Sequence, residues 1–147
     1  MKNLLVTIDF NNSEQKLVKM AYNLAKSYSS KVWLLHVTAP DPDFVGYEVG
    51  PQYIRDFRAE ELKNEHKALQ VLADDLENKG VNAEGILIQG ATLEIILKEA
   101  DHLNIDLIIV GYEDHNFLYE ALVGSVSSKL IKKTKIPVLV VPIDEEE

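Results

Sequence analysis

Leu4-Leu5-Val6-Thr7-Ile8-Asp9 is an almost unbroken apolar run that stops at a carboxylate. A continuous run of this length suits a strand covered on both faces, because an amphipathic strand would alternate. Asn11, Asn12 and Ser13 follow as turn and cap residues. Leu17, Val18, Ala21, Leu24 and Ala25 then recur at helical spacing until Ser29-Ser30 breaks the pattern. The same alternation repeats down the chain. Val32 to Val37, Ala83 to Ile88, Ile105 to Val110 and Ile136 to Pro142 read as four further strands. Between them lie a long charged helix from Tyr53 to Lys79, a helix with Leu93, Ile96, Leu97 and Ala100, and a last helix marked by Leu118, Leu122, Val126, Leu130 and Ile131. Gly80 suits the position just past the end of the long helix. Residues 38 to 51, with three prolines and two glycines, read as a long loop.

Strands alternating with helices predict a parallel sheet with right-handed crossovers. The fold expected is therefore α/β: a single-domain, open, doubly wound five-stranded parallel sheet with four helices. Its ligand site is expected outside the carboxyl ends of the strands, at the point where the winding reverses.

Composition narrows the function. The 147 residues carry 15 Lys plus Arg against 24 Asp plus Glu, a net charge of −9. Nucleic-acid binding needs clustered cations, so that class is excluded. No apolar run approaches the ~20 residues of a membrane span, and no signal-peptide pattern opens the chain. A cytoplasmic protein is expected. The absence of cysteine removes disulfides, thiolate metal sites and a cysteine nucleophile. Four of the acids, Asp144 to Glu147, form a tail beyond a domain spanning residues 1–143.

The chemistry concentrates between Gly111 and Val126. Gly111 ends a strand, and Gly124-Ser125 falls within the last helical segment. A glycine inside a helix costs about 1 kcal/mol relative to alanine. Either Gly124 serves close packing, with the helix starting at Ser125, or the amides of Gly124, Ser125 and Val126 face a phosphate at a helix N-terminus. His36, His66, His102 and His115 share no metal-ligand spacing. His36, in an apolar strand, reads as a packing residue, and His66 and His102 as solvent-facing. No nucleophile stands beside a general base, so no catalytic residue is assigned and no fast enzyme is expected. A phosphorelay receiver would need an acidic cluster at the first strand, an Asp ending the third and a Lys ending the fifth. Asp9 alone, Gln89 and Pro142 do not supply them.

Over essentially its whole length the chain resembles the universal stress protein family. The resemblance rests on Leu5-Val6-Thr7-Ile8-Asp9, Leu34-Leu35-His36-Val37, Gly90, Leu122-Val123-Gly124-Ser125-Val126 and Ile136-Pro137-Val138-Leu139-Val140-Val141-Pro142. Many members bind ATP through a Gly, two residues, Gly, nine residues, then Gly and Ser or Thr. Gly111 and Gly124-Ser125 match the outer positions, while Asp114 stands where the middle glycine belongs. A carboxylate there repels phosphate unless a cation intervenes, such as protonated His115 or a divalent ion (Mg²⁺ or Mn²⁺). The resemblance implies ATP, or else AMP or ADP, with base and ribose near Thr7, Ile8, Asp9 and Val37. Ile8 and Val37 are expected to flank the base and Asp9 to accept hydrogen bonds. With the strands in the order 3-2-1-4-5, Ile136 to Val141 lies at an edge, and the resemblance implies a homodimer through it. The function implied is a stress-response regulator that binds an adenine nucleotide. The alternative is a dimeric stress protein that acts through protein partners without nucleotide, because of Asp114.

Overall fold

The computed structural model describes residues 1–10, 14–38, 52–112 and 125–143. Its elements are β1 (Asn3–Thr7), α1 (Glu14–Tyr28), β2 (Lys31–Thr38), α2 (Gln52–Asn78), β3 (Ala83–Gln89), α3 (Thr92–His102), β4 (Leu107–Tyr112), α4 (Ser125–Lys133) and β5 (Val138–Pro142). The five strands form one sheet in the order β3-β2-β1-β4-β5, every pair parallel. The expected fold is thus the observed one. Thr38, read as the first loop residue, instead completes β2 by pairing with Gln89.

Each strand's alternation sends its side chains to two separate cores. Leu4 and Val6 of β1 join Val32 and Leu34 of β2 and Leu107 and Ile109 of β4 on one face. There Leu17, Val18, Ala21 and Ala25 of α1 and Leu69, Leu72, Ala73 and Leu76 of α2 cover them. Leu5, Leu35, Ile108 and Val110 point the other way and meet Ile96 and Ala100 of α3 and Leu130 of α4. Both faces of β1 and β4 are buried, which is why those runs show no polar alternation.

Three helices stop in the same way. α2 ends at Gly80 with φ +91°, where the Gly80 amide donates to the Glu77 carbonyl (3.0 Å) and Val81 to Leu76 (2.9 Å). This doubly bonded stop satisfies carbonyls that the helix leaves open. Ser29 (φ +57°) and Asn104 (φ +55°) take the equivalent left-handed position after α1 and α3. From there Ser30 donates to Ala25 (3.1 Å) and Ile105 to Ala100 (3.0 Å).

At the amino ends of the strands, one carboxylate ties β1 to the approach of β4. Asp106 Oδ2 accepts from the backbone amides of Lys2 (2.7 Å) and Asn3 (2.9 Å). The Asn3 and then the Lys2 hydrogen bond hold its carboxyl below the usual 3.8.

Two outcomes follow from these features. Gly80→Ala should destabilise the fold by about 1–2 kcal/mol, the cost of a β-carbon in the left-handed region. The check is a lower urea midpoint at unchanged m-value. Asp106 is stabilising while ionised, so its contribution is present above the unfolded carboxyl value and lost as pH falls through the lower folded one. Asp106→Asn should therefore cost on the order of 0.5 kcal/mol at pH 7, modest because water screens an exposed carboxylate. The gap between the variant and the parent should narrow in urea titrations as the pH falls through the lowered folded value of this carboxyl.

Candidate functional site

The winding reverses between β1 and β4. From β1 the chain moves outward through β2 and β3, and it returns on the other side through β4 and β5. The carboxyl ends of β1 and β4 therefore border a crevice that no crossover helix fills. Thr7, Asp9 and Gly111 lie at this crevice, with Val37 one strand away on β2. α4 leads into a parallel strand, so its amino end, at Ser125, opens toward the same side of the sheet. The described helix starts at Ser125, with Val126 in its first turn. Asp114, His115 and Gly124 lie outside the described residues.

Hydrogen bonds continue the strand pairing past the strand ends and fix this rim. The Ile8 amide donates to the Leu35 carbonyl (2.8 Å), Gly90 to Thr38 (3.0 Å) and Ile143 to Tyr112 (2.9 Å). Gly90 also has a steric reason to be glycine, because a β-carbon there would sit 2.9 Å from Ile95 Cγ1. Asp9 is exposed at the tip of β1.

Ile8 departs from the sequence expectation. Its side chain is 2% exposed and belongs to the core with Leu4 and Val6. Val37 is half-buried on the opposite face, beside α3 and α4. The two cannot flank one flat ring together. The reason is strand parity: residues 4, 6 and 8 share a face, and the odd positions of β2 share the other. What Ile8 offers the site is backbone.

Gly111 has a packing role besides any ligand role. A β-carbon on it would lie 2.9 Å from Ile143 Cδ1 and 3.5 Å from Leu17 Cδ1. A side chain there would make the end of Ile143 shift, while Leu17 would stay at ordinary contact distance.

Two polar groups at the rim were not legible as site residues in the sequence. Arg58, on α2, donates from Nη2 to Thr38 Oγ1 (2.8 Å) and pairs through Nη1 with Glu61 (3.0 Å). It brings a guanidinium to the end of β2. His36, read as a packing residue, is 8% exposed and does pack, its ring lying edge-on to Phe10 at 4.9 Å. It is also hydrogen-bonded: Nδ1 lies 2.5 Å from the Ile8 carbonyl oxygen, and Nε2 lies 3.6 Å from Glu65 Oε1. His66 and His102 are exposed, as expected. Among the described residues no three His, Cys, Asp or Glu side chains are grouped to hold a metal ion, and no helix is long and apolar enough to cross a membrane.

Known proteins share this arrangement. The family model described as the universal stress protein family matches residues 1–142. Universal stress protein YxiE of Bacillus subtilis is 32% identical over 143 residues, covering 94% of this chain and 97% of its own. Among solved structures, that of protein MJ0577 superposes with a TM-score of 0.80 at 26% identity, covering 99% of this chain and 98% of the other. A universal stress protein in complex with cAMP superposes with a TM-score of 0.72 at 21% identity, covering 97% of each chain, a likeness of fold. With the sheet order, the reversal between β1 and β4 and a sequence match along nearly its full length, the chain belongs to the universal stress protein family.

Proposed function

We propose that this stress protein binds an adenine nucleotide in the crevice between the ends of β1 and β4 and acts as a ligand-gated regulator in the cytoplasm. The observation that carries this reading is the convergence of three features on one rim: the β1 tip at Thr7 to Asp9, Gly111 ending β4, and the amino end of α4 at Ser125. A solved relative of the same fold holds cAMP, which supports an adenine ligand. In this arrangement Asp9 accepts hydrogen bonds from the ribose or the purine amine, Val37 lies along the base, and Thr7 and Ile8 contribute at the β1 tip. The phosphates take amides at Gly124, Ser125 and Val126, where the helix end carries partial positive charge.

ATP is the nucleotide favoured, with AMP or ADP as the shorter forms. The protein's net charge of −9 opposes a polyphosphate at long range, so local donors have to outweigh the field. Arg58 adds a cation near β2, already shared with Glu61. Mg²⁺ or Mn²⁺ would arrive with the nucleotide and be held through its phosphates beside Asp114 and His115. The role proposed is binding rather than catalysis, with at most slow, incidental ATP hydrolysis.

Titration calorimetry with Mg²⁺ tests the reading. Millimolar ATP, ADP or AMP should give saturable heats, and silence from all three would sink it. Asp114→Gly should tighten ATP binding by about tenfold, the effect of relieving one close like-charge contact. An unchanged affinity would favour a protein-partner module that works without nucleotide, the reading that Asp114 itself motivates.

The assembly proposed is a homodimer through β5. Val138, Leu139 and Val140 are only half-buried in the single chain, and they lie on an open sheet edge. An apolar edge of this kind favours pairing with a second copy. Equilibrium sedimentation should return twice the 16.6 kDa chain mass; a single-chain mass at tens of micromolar would rule the dimer out.

A further inference from the structure

The end of the chain sorts its charges into two groups, and the nucleotide reading uses neither. From Ala121 to Ile143 the sequence holds four lysines, Lys129, Lys132, Lys133 and Lys135, and no acid, in a chain that is acidic overall. All four are exposed, three on α4 and Lys135 in the link to β5, with Lys132 and Lys133 in the last turn of the helix. None has an ion-pair partner among the described residues. The four residues that follow Ile143 are all acids, Asp144 to Glu147.

Within one chain the fold keeps these groups apart. Lys133 and Lys135 lie before β5, at the amino ends of the strands, and Ile143 lies after it, at the carboxyl ends. Both ends of β5 are held to β4: the Ile108 amide donates to the Pro137 carbonyl (3.0 Å) and the Ile143 amide to the Tyr112 carbonyl (2.9 Å). The five residues of β5 alone span about 16 Å. The four tail residues reach about 14 Å when fully extended. To approach Lys135 of its own chain, the tail has to reverse at once and run back the length of the strand.

A second copy brings them together. The Pro137 and Ile143 bonds turn the odd-numbered backbone groups of β5 toward β4, so Val138 and Val140 present theirs to the open edge. Two copies joined at that edge about a two-fold axis pair antiparallel. Centred on Leu139 or on Val140, the ladder uses both valine amides, and Pro142, which has no amide hydrogen, falls at its margin. Either register sets Asp144 beside Thr134 or Ile136 of the second copy, and Glu145 beside its Lys133 or Lys135. The carboxyl end of one β5 then meets the amino end of the other, acids against lysines, at both ends of the pair. We propose that Asp144 to Glu147 dock on Lys132, Lys133 and Lys135 of a second copy, an electrostatic latch that favours pairing of this chain with itself. The latch rests on the dimer reading above and not on nucleotide binding. Its contacts lie at the rim of the interface, where exposed charges govern partner choice and salt dependence.

Self-association of the full chain, followed by equilibrium sedimentation at low and high salt, tests the latch. The tail variant carries Asp144→Lys, Glu145→Lys, Glu146→Lys and Glu147→Lys. The helix variant carries Lys132→Glu, Lys133→Glu and Lys135→Glu. Each alone sets like charges together at both ends of the β5 pair and should self-associate about tenfold more weakly than the parent at low salt. Mixed in equal amounts, the two set opposite charges together at both ends. With a different fluorescent label on each, energy transfer should report a mixed dimer as tight as that of the parent. High salt should shrink these differences to about twofold. A neutral tail, Asp144→Asn with Glu145→Gln, Glu146→Gln and Glu147→Gln, should weaken the parent dimer by about threefold at low salt. Without the latch it should strengthen the dimer, because it takes four negative charges off each copy. A tail folded onto its own lysines gives the mixed pair no advantage over either variant alone, and that result overturns the proposal. A parent dimer that the neutral tail leaves as tight or tighter overturns it too, while the β5 dimer stands. A parent that sediments as a single chain at tens of micromolar overturns the dimer and the latch with it.

Discussion

Everything in this molecule is arranged around a strand that has no solvent face. Leu4, Leu5 and Val6 of β1 are all fully buried, and they belong to two different cores. A strand placed so can pair on both edges and must be covered on both sides. β2 and β4 take the edges, α1 and α2 one side, and α3 and α4 the other. Right-handed crossovers then force the chain to leave β1 in one direction and come back in the other. The crevice at the ends of β1 and β4 is a consequence of that geometry, present before any ligand is considered. The same centrality makes the β1 tip a place where small backbone displacements are resisted by packing. Gly111 on the adjoining strand is packed closely too: a methyl group there would press on the end of the Ile143 side chain.

The fold was legible because burial on both faces leaves a signature in composition. Runs such as Leu107 to Val110 contain no polar residue, and their spacing between helical patterns leaves few topologies open. The stops were legible where glycine marked them, as at Gly80. They were less so at Ser29 and Asn104, which adopt the same backbone without the residue that advertises it. The same continuous runs hid the site's details. In an alternating strand, polarity tells which side chains face together; in β1 and β2 both sets are apolar, so the opposite directions of Ile8 and Val37 carry no mark in the sequence.

Polar residues of the rim were obscured for a different reason. Arg58 and Glu65 sit in a helix whose exposed positions are heavily charged, and a cation or carboxylate in that background reads as solvated surface. What distinguishes them is contact with the strand ends, through Thr38 and His36, and such contacts join residues far apart along the chain. His36 reads as packing from its apolar neighbours, and it does pack. Its two nitrogens acquire meaning only once β1 and α2 are on either side of it. A single histidine in an apolar strand therefore has two indistinguishable sequence readings, and the difference lies in the partners that the fold delivers.

The charge of the chain takes on a local meaning at the same rim. Acidic side chains dominate the composition, yet two carboxylates at this end lie beside basic side chains: Glu61 by Arg58, and Glu65 by the ring that also holds Ile8. These pairings are unequal. Arg58 and Glu61 meet at 3.0 Å, guanidinium to carboxylate. His36 Nε2 and Glu65 Oε1 lie farther apart, at 3.6 Å, and that oxygen has no hydrogen-bond partner among the described residues. Of these two acids on α2, one is thus closely paired and the other only approached. The second is linked, through a single ring, to the backbone that carries Asp9. What an anion meets at the β1 tip is therefore set by these local contacts as well as by the net charge of the chain.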